Sequence, residues 1–558
     1  MANAALTTRQ LAALGFQRHA GSEPPRYFGR LKAGSITVPV ELEIPDSRLV
    51  RLPVVRIDPE FSDRHRLRGH LTEGNALCYT DENILVLDQF QLMASIRTVL
   101  ALCETTLREL LHGNAEPSIR AEITAYWKGD CYYVIDDLRG SDRAVTGFLE
   151  LSAGKGISVI AATEETIASW VRSLGVNHTI QKRMSVAVIE RDIPSPPALP
   201  TLAAASAWLG ELLGGKKDWL FSNTVDGERP TAVIVANNGI IGFTAQENAV
   251  IKQAQKGQGF RKSTLGQLWQ SQAGDVGIDK FYGRVSTHLE MVSRNTDSGP
   301  PLEEKKICLI GCGTIGGYLA RMLVQSGAGT NSTLTLVDDQ VFLPENAGRH
   351  LLGFSSVGTM KSVATANALL RDFPGVSIEP LTKPAQELWG QFRNYDLVID
   401  ATGMERFSSA LNLFAKEMRA SDRYPPVIYS VIFGNGAAVQ SFLDRGGPDD
   451  ACYQCLRPEY GKPWRFNSLK ATSSQPAYAV RPCSVGSYVP YGVQASVSAA
   501  TLTLRQVLDF FAGDTSATLR TQAIDHILAR EIPNKSVARS PHCPACSSVR
   551  QTVVTIGG

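Results

Sequence analysis

The stretch Lys306-Ile-Cys-Leu-Ile-Gly-Cys-Gly-Thr-Ile-Gly-Gly317 determines the fold predicted for the C-terminal half of the chain. Its apolar start predicts a strand, and Gly311, Gly313 and Gly316 give the spacing G-x-G-x-x-G before a predicted helix. These glycines permit a tight turn and let the backbone approach a phosphate at the helix N-terminus. Asp338 ends a second predicted strand about 20 residues further on, where a ribose-binding carboxylate is expected. The pattern predicts a Rossmann-like nucleotide site.

Four later polar residues distinguish between two kinds of nucleotide chemistry. The glycines and the ribose carboxylate alone would also fit an NAD-dependent dehydrogenase. The additional residues are Asn346, Arg349, Lys361 and Asp400. A hydride transfer needs no such group, whereas adenylation needs cations to hold a triphosphate and a carboxylate to hold magnesium. The sequence therefore favours an adenylating site that uses ATP and magnesium.

Two Cys-x-x-Cys pairs predict a metal site. The pairs consist of Cys452, Cys455, Cys543 and Cys546. Each pair can present two thiolates to one tetrahedral ion, and two pairs complete the shell of zinc at about 2.3 Å per bond. A closed shell of four thiolates leaves no position for water or substrate, so the expected zinc is structural. The alternative is two unrelated buried pairs.

In this order the motifs resemble the adenylating domain of ubiquitin-activating enzymes and of their bacterial sulfur-carrier relatives. The resemblance covers roughly residues 280–558 and includes Tyr282 and Arg284, which form a Tyr-x-Arg motif before the glycine turn. One position departs from the family: Gln340 stands where a second acid commonly follows the ribose aspartate.

The resemblance implies a role for each polar residue of the site. Asp338 would bind the ribose and Asp400 would bind magnesium. The ATP phosphates would be held by Asn346, Arg349 and Lys361. The family also implies a homodimer through the adenylation domain, in which Arg284 reaches the ATP of the opposite subunit.

Cys483 is the candidate for a first thioester. It lies in Arg-Pro-Cys-Ser-Val-Gly-Ser, where the neighbouring proline and glycine predict a loop. In the resembled family a cysteine at this place attacks the acyl adenylate, because a thiolate is a good nucleophile and a thioester keeps the acyl group activated. The alternative is a surface cysteine without a catalytic role.

Cys78 is the candidate for a second thioester. The stretch Gly69-His-Leu-Thr-Glu-Gly-Asn-Ala-Leu-Cys-Tyr79 resembles the active-site segment of ubiquitin-conjugating enzymes. The usual His-Pro-Asn is replaced by His70-Leu71-Thr72, so a backbone N–H or Asn75 would have to stabilise the oxyanion. We expect His70 to shape the loop by hydrogen bonding. For Cys78 the alternative is a small buried hydrophobic residue.

The predicted fold is α/β with three domains. Residues 1–150 form an α+β ubiquitin-conjugating-like domain, residues 151–278 form an α/β linker or docking domain, and residues 279–558 form the Rossmann-like adenylation domain with the zinc site. A chain of 558 residues is expected to form about three domains of ordinary size.

This domain order resembles the fused ligases encoded beside cyclic-oligonucleotide synthases in bacterial CBASS anti-phage operons. The resemblance implies that the C-terminus of a CD-NTase partner is adenylated, passed from Cys483 to Cys78, and conjugated to an amine of an acceptor protein. Two alternatives stay open. A sulfur-carrier adenylating enzyme would not need Cys78, and a non-catalytic scaffold would need neither cysteine.

Bulk properties exclude some partners. The net charge is +2, with no basic or acidic tail, so neither nucleic acid nor a membrane surface is an expected partner. The sequence contains no apolar run of the ~18–20 residues that a membrane span needs. The first residues lack a cationic start followed by an apolar block, so we expect a cytoplasmic protein.

Overall fold

The computed structural model of the chain divides into two compact units. It describes residues 2–46, 48–65, 67, 69–80, 84–112, 120, 123–225, 228–256, 262–296, 299–421, 423–459, 462, 464–470 and 489–546. The first unit comprises Met1–Gly147, Ser158–Thr163 and Ile180–Arg284, and the second comprises Phe148–Ile157, Glu164–Thr179 and Val285–Gly558.

The N-terminal part is a four-stranded antiparallel sheet covered by helices. The strands, in sheet order, are β1 (Gln17–Arg18), β2 (Arg26–Ala33), β3 (Ile36–Glu43) and β4 (Val54–Ile57). The helices are α1 (Ala2–Ala13), α2 (Pro59–His65) and α3 (Leu92–Leu111). Leu107 and other apolar residues of α3 recur at helical spacing. They pack on the face of the sheet that carries the buried side chains, which alternate with less buried ones along β3.

Seven further strands close into a barrel in the order β10, β11, β5, β7, β6, β8, β9. They are β5 (Asp130–Val134), β6 (Arg143–Ser152), β7 (Lys155–Ala161), β8 (Asn177–Ile189), β9 (Thr231–Ala236), β10 (Gly239–Ala245) and β11 (Ile278–Val285). Every residue of β9 is buried, because its outer side is covered as well as its inner side. The barrel therefore has a filled core, in which Val233 and Phe281 pack together.

Short helices accompany the barrel strands. They are α4 (Ile123–Trp127), α5 (Glu164–Leu174), α6 (Leu202–Leu212), α7 (Trp219–Asn223), α8 (Ala249–Lys256) and α9 (Lys262–Gln272). The expected boundary at residue 150 falls inside β6, and the boundary at 278 falls at the start of β11. The division into three domains stays a prediction, and the hydrogen-bonded barrel joins strands from both sides of residue 150.

The third sheet has seven strands in the order β14, β13, β12, β15, β16, β17, β18. They are β12 (Ile307–Ile310), β13 (Leu334–Val337), β14 (Ile378–Leu381), β15 (Leu397–Asp400), β16 (Val427–Phe433), β17 (Ala438–Asp444) and β18 (Leu519–Ala523). The first five are parallel, and β17 and β18 are antiparallel. The chain runs outward from β12 to β14 and returns to β15, so the strand order reverses between β12 and β15. A Rossmann-like sheet binds its ligand at this reversal.

Helices α10 (His288–Ser293), α11 (Thr314–Gln325), α12 (Lys361–Asp372), α13 (Glu405–Ser421) and α14 (Val493–Phe511) complete this part of the chain. The long α14 packs on α11 and on β16 and β17. Its buried face includes Ala499 and Ala500, whose small side chains allow close approach to the sheet. Among the described residues, every helix is too short or too polar to cross a lipid bilayer.

Candidate active site

The glycine turn lies where the strand order reverses. Gly311 follows β12 with φ at +89°, and a Cβ there would lie 3.0 Å from the backbone nitrogen of Thr402, just past β15. Gly313 is the residue before α11. A Cβ on Gly316 would lie 1.7 Å from the carbonyl oxygen of Gly311, so α11 can dock on the turn only with glycine there. The three glycines therefore place a helix N-terminus at the carboxyl end of β12.

Asp338 holds the turn from the neighbouring strand. Its Oδ2 accepts a hydrogen bond from the Cys312 N–H at 2.7 Å, and its Oδ1 accepts from the Gln340 N–H at 2.9 Å. Burial raises the pKa of the Asp338 carboxyl, and the two backbone donors partly oppose this by stabilising the charged form. Each carboxylate oxygen keeps a further lone pair that could accept from a ribose hydroxyl.

Lys361 is held by the residue that departs from the family pattern. Its Nζ donates to Oε1 of Gln340 at 2.8 Å, and its backbone N–H donates to the Gln340 carbonyl at 2.8 Å. The lysine is only 8% exposed, at the first position of α12. Gln340 thus orients the ammonium group through a neutral acceptor, which leaves its positive charge uncompensated by that contact.

Arg349 contacts the segment that follows Cys483. Its Nη1 donates to the Val489 carbonyl at 3.3 Å, and its guanidinium lies 4.6 Å from the ring centroid of Tyr491. The Tyr491 hydroxyl is 2.9 Å from Oγ1 of Thr314, the first residue of α11. Residues 489–491 therefore lie against the glycine-turn helix and the predicted phosphate-binding arginine.

Asn346 lies in a short 3-10 turn, Pro344–Asn346. Its Oδ1 accepts from the Leu343 N–H at 3.0 Å. This bond fixes the orientation of the amide, so its Nδ2 hydrogens are the donors that could meet a phosphate.

Asp400 is the most deeply buried acid of the site, with 1% exposure. It pairs in register with Ile310, the residue before the glycine turn. Its Oδ1 accepts from the Thr402 N–H at 2.9 Å and from the Thr402 hydroxyl at 2.6 Å, and its Oδ2 accepts from Ser408 at 2.5 Å. Burial raises its pKa despite these bonds. A divalent cation would suit this position, because it would compensate a buried carboxylate whose donors here are neutral.

His350 was not identified from the sequence, although it directly follows Arg349. Its Nε2 donates to the Cys312 carbonyl at 2.7 Å, and its Nδ1 accepts from the Leu352 N–H at 3.0 Å. A Cβ on Gly317 would lie 3.0 Å from the His350 ring, which explains the second glycine of the pair at 316 and 317. Burial lowers the pKa of His350, so the neutral ring braces the glycine turn.

The four cysteines of the predicted metal site lie together. The sulfur atoms of Cys452, Cys455, Cys543 and Cys546 are all within 4.8 Å of one another, and all four residues are buried. Four pairs of these sulfur atoms are separated by 3.3–3.9 Å. Four thiolates around zinc at about 2.3 Å would lie about 3.8 Å apart, so the cluster fits a tetrahedral ion. The structure supports a metal site without identifying the metal.

Cys78 is exposed at the end of a small hairpin. Its N–H donates to the His70 carbonyl at 2.7 Å, and the Leu77 N–H donates to the Val55 carbonyl of β4 at 2.7 Å. The turn of the hairpin is a short 3-10 segment, Glu73–Asn75, in which Asn75 has φ at +56°. The exposure of Cys78 disagrees with the alternative of a small buried hydrophobic residue, which fits Cys103 and Cys308 instead.

The structure does not bring two of the predicted site residues together with the others. Cys483 lies outside the described residues. Arg284 is exposed near the end of β11, in the first compact unit, whereas the glycine turn belongs to the second.

A glycine turn at the strand reversal, together with a lysine, an arginine and two carboxylates of which Asp400 is buried, defines the class of ATP-dependent adenylating enzymes. Sequence comparison agrees. The ThiF family matches residues 292–545, and the prokaryotic E2 family B matches residues 6–131.

Full-length relatives define the family. The chain is 30% identical over 521 residues to the ATP-dependent ubiquitin transferase-like protein Cap2 of Pseudomonas aeruginosa, an alignment covering 88% of this chain and 91% of the relative. Cap2 of Escherichia coli is 26% identical over 549 residues, covering 91% and 89%. The chain therefore belongs to the family of ATP-dependent ubiquitin transferase-like proteins. The predicted fusion of activating-like and conjugating-like parts in one ATP-dependent protein-conjugating enzyme is confirmed.

Solved structures add little to this. A crystal structure of Escherichia coli MccB with MccA-N7isoASN has a TM-score of 0.34 and 18% identity, covering 46% of this chain and 69% of that one. Likeness at this level supports no argument about function.

Proposed function

We propose that this enzyme adenylates the C-terminal carboxylate of a CD-NTase-like protein, passes the acyl group through Cys483 and Cys78, and conjugates it to an amine such as a lysine. The observation that carries the proposal is Asp400, a buried carboxylate with neutral donors immediately beside the glycine turn. Such a group is costly to bury unless it meets a cation, and MgATP would supply one. The CD-NTase target and a role in CBASS defence rest on the resemblance of the domain order.

The first step joins the carboxylate to AMP. A carboxylate oxygen of the partner attacks the α-phosphorus of ATP, and pyrophosphate leaves with the electrons of the broken P–O bond. Arg349, Lys361 and Asn346 would hold the phosphates, the N-terminus of α11 would face them, and Asp338 would hold the ribose. Magnesium, when bound, would neutralise part of the charge that develops on the leaving pyrophosphate.

The acyl group then moves between sulfur atoms. The Cys483 thiolate attacks the acyl carbon and AMP leaves; the Cys78 thiolate then attacks the thioester and the Cys483 thiolate leaves. Cys483 precedes Val489 by six residues in the sequence, and the Val489 carbonyl accepts a hydrogen bond from Arg349.

The last step needs a donor for the oxyanion at Cys78. An uncharged amine attacks the carbonyl carbon of the Cys78 thioester, the C–N bond forms as the C–S bond breaks, and the proton lost by the amine passes to the departing Cys78 sulfur. The backbone N–H groups of Cys78 and Leu77 already donate to the carbonyls of His70 and Val55. We therefore assign the oxyanion to the side-chain amide of Asn75, which is half-buried in the turn three residues before Cys78.

The four-cysteine cluster is proposed to hold zinc as a structural ion. Four buried thiolates are a donor set that favours zinc, and they join segments that are far apart in the sequence. We assign it no chemical step.

Separate removal of the two cysteines tests the thioester path. Cys483→Ala should keep ATP–pyrophosphate exchange with a purified CD-NTase and lose both thioesters. Cys78→Ala should accumulate a reductant-sensitive adduct on Cys483 and form no amide. Cys131→Ser is the matched control, because it replaces a half-buried cysteine of β5, and this variant should conjugate normally. Normal conjugation by either alanine variant would overturn the proposal, as would wild-type activity toward a CD-NTase lacking its C-terminal residues.

Subunit mixing tests the proposed homodimer. If Arg284 acts on the ATP of the opposite subunit, Arg284→Ala and Asp400→Asn chains should each be inactive alone. A mixture would then recover about a quarter of wild-type activity, because half the dimers are mixed and each has one complete site. Failure to recover activity after subunit exchange would contradict the action of Arg284 across the dimer.

A further inference from the structure

We propose that Tyr126 is a positioning residue for Cys78. In this proposal α4 connects the cysteine loop, which comprises residues 69–80, to the barrel. This inference rests on the proposed thioester role of Cys78. It gives the barrel, whose role the sequence did not indicate, a specific part in the reaction: it holds the conjugating cysteine in place.

The cysteine loop is a hydrogen-bonded ladder. The Cys78 N–H donates to the His70 carbonyl at 2.7 Å, and the Thr72 N–H donates to the Ala76 carbonyl at 2.7 Å. Leu71 and Leu77 form an antiparallel bridge between these bonds. The position of Cys78 is therefore fixed directly by the position of His70.

His70 has an unfavourable backbone conformation that needs support. Its φ is +47°, and the preceding Gly69 has φ at +88°. A residue with a side chain is strained in this left-handed region, so its surroundings must hold it there. The support comes from 56 residues away, where the Tyr126 hydroxyl accepts the His70 N–H at 2.8 Å.

The helix that carries Tyr126 is anchored in the barrel. Ile123 and Trp127, on α4, are 0% and 1% exposed. The Trp127 indole N–H donates to the Gly242 carbonyl of β10 at 2.9 Å, and its ring stacks on Trp208 with centroids 5.5 Å apart. Lys280 of β11 covers the same ring at 4.6 Å. Because α4 is held this tightly, Tyr126 is a fixed acceptor for the loop.

The consequence concerns the rate of the last step. A nucleophile or leaving group displaced by about 1 Å can cost a factor on the order of 10² in rate. Loss of the Tyr126 hydroxyl would free the His70 N–H and, through the ladder, loosen Cys78. The glycine turn and Asp400 lie in the other compact unit and share none of these bonds, so adenylation should be unaffected.

The test is Tyr126→Phe in the full-length enzyme, which removes the hydroxyl and keeps the ring. The matched control is Tyr132→Phe in β5, where the ring packs edge-on against Phe281 in the barrel core. Three quantities are compared: ATP–pyrophosphate exchange, the kcat and KM for attack of free lysine on the Cys78 thioester, and amide hydrogen exchange of the segment 69–80.

For Tyr126→Phe we expect a decrease in kcat of about 10- to 100-fold with KM unchanged, since position rather than amine binding is lost. Pyrophosphate exchange should stay within about twofold of wild type, and exchange of the 69–80 amides should be about tenfold faster. Tyr132→Phe should match wild type in all three. An unchanged kcat, or the same decrease in the control, would overturn the positioning role.

Failure of the proposed function gives a different result. If wild-type enzyme forms no thioester on Cys78, the thioester path is wrong. The amide exchange of residues 69–80 still decides whether Tyr126 holds the loop, because it is measured on resting enzyme. Unchanged exchange in Tyr126→Phe would therefore refute the inference independently.

Discussion

Replacement of Gly316 by alanine should disable the nucleotide site through a steric effect inside the protein. The added Cβ would lie 1.7 Å from the Gly311 carbonyl oxygen, and real Cβ atoms essentially never lie within 3.0 Å of such an atom, so the two atoms must separate by at least about 1.3 Å. Overpacking of this kind costs about 1–3 kcal/mol of folding free energy. The displaced carbonyl belongs to the turn itself, and a shift of about 1 Å in a reacting site costs on the order of 10² in rate.

Gly313→Ala is the matched control, because a Cβ there meets no atom within 4 Å in the described protein and the φ is −78°. We expect its urea unfolding to be within about 1 kcal/mol of wild type. Its affinity for a non-hydrolysable ATP analogue should still fall, since the Cβ would occupy the space of a phosphate. Urea unfolding and titration calorimetry separate the two effects. Wild-type unfolding and binding by Gly316→Ala would refute the packing argument, and wild-type binding by Gly313→Ala would refute the phosphate-binding role.

Four further perturbations test other parts of the site. Asp400→Asn should abolish pyrophosphate exchange. Burial raises the Asp400 pKa above 3.8, so the free energy of unfolding of the wild type without magnesium should fall as pH rises through that raised pKa. The variant should show neither this loss nor stabilisation by magnesium. Identical urea midpoints of wild type and variant from about pH 4 to 8 would contradict this. Cys455→Ser should lower both the thermal midpoint and the zinc content from about one ion per chain, and wild-type protein without stoichiometric metal by mass spectrometry would exclude the zinc site. Asn75→Gly removes the side-chain amide, and glycine tolerates the φ of +56° at this position. Aminolysis of the Cys78 thioester should slow by about 10²- to 10³-fold while the thioester still forms. An unchanged rate of aminolysis would remove Asn75 from the mechanism. His350→Phe removes the partners of the Cys312 carbonyl and the Leu352 N–H, and each loss should lower the free energy of unfolding by about 1–3 kcal/mol. His350→Gln should recover part of this stability. Urea unfolding of both variants decides this.

Much of the nucleotide site could be predicted from the sequence because its parts are local. The glycine spacing encodes a turn whose backbone other residues would block, and a strand before it with a helix after it fixes where that turn lies. Asp338 and Asp400 could be placed because each ends an apolar strand, and parallel strands bring their carboxyl ends to one edge. The hydrogen bond between Gln340 and Lys361 could not be predicted, since it joins two side chains that are 21 residues apart in the sequence.

The sequence by itself led to the proposed chemistry: it predicts a glycine turn for phosphate, carboxylates and cations for MgATP, paired cysteines for a metal, and lone cysteines for thioesters. Residue type and short spacing are enough for this, because they set which atoms can bind or react. Only the tertiary structure decided which residues support that chemistry. His350 braces the glycine turn and Tyr126 holds the cysteine loop through hydrogen bonds across 38 and 56 residues. Such contacts leave no periodic pattern in the sequence, because they depend on how separately folded elements meet in space.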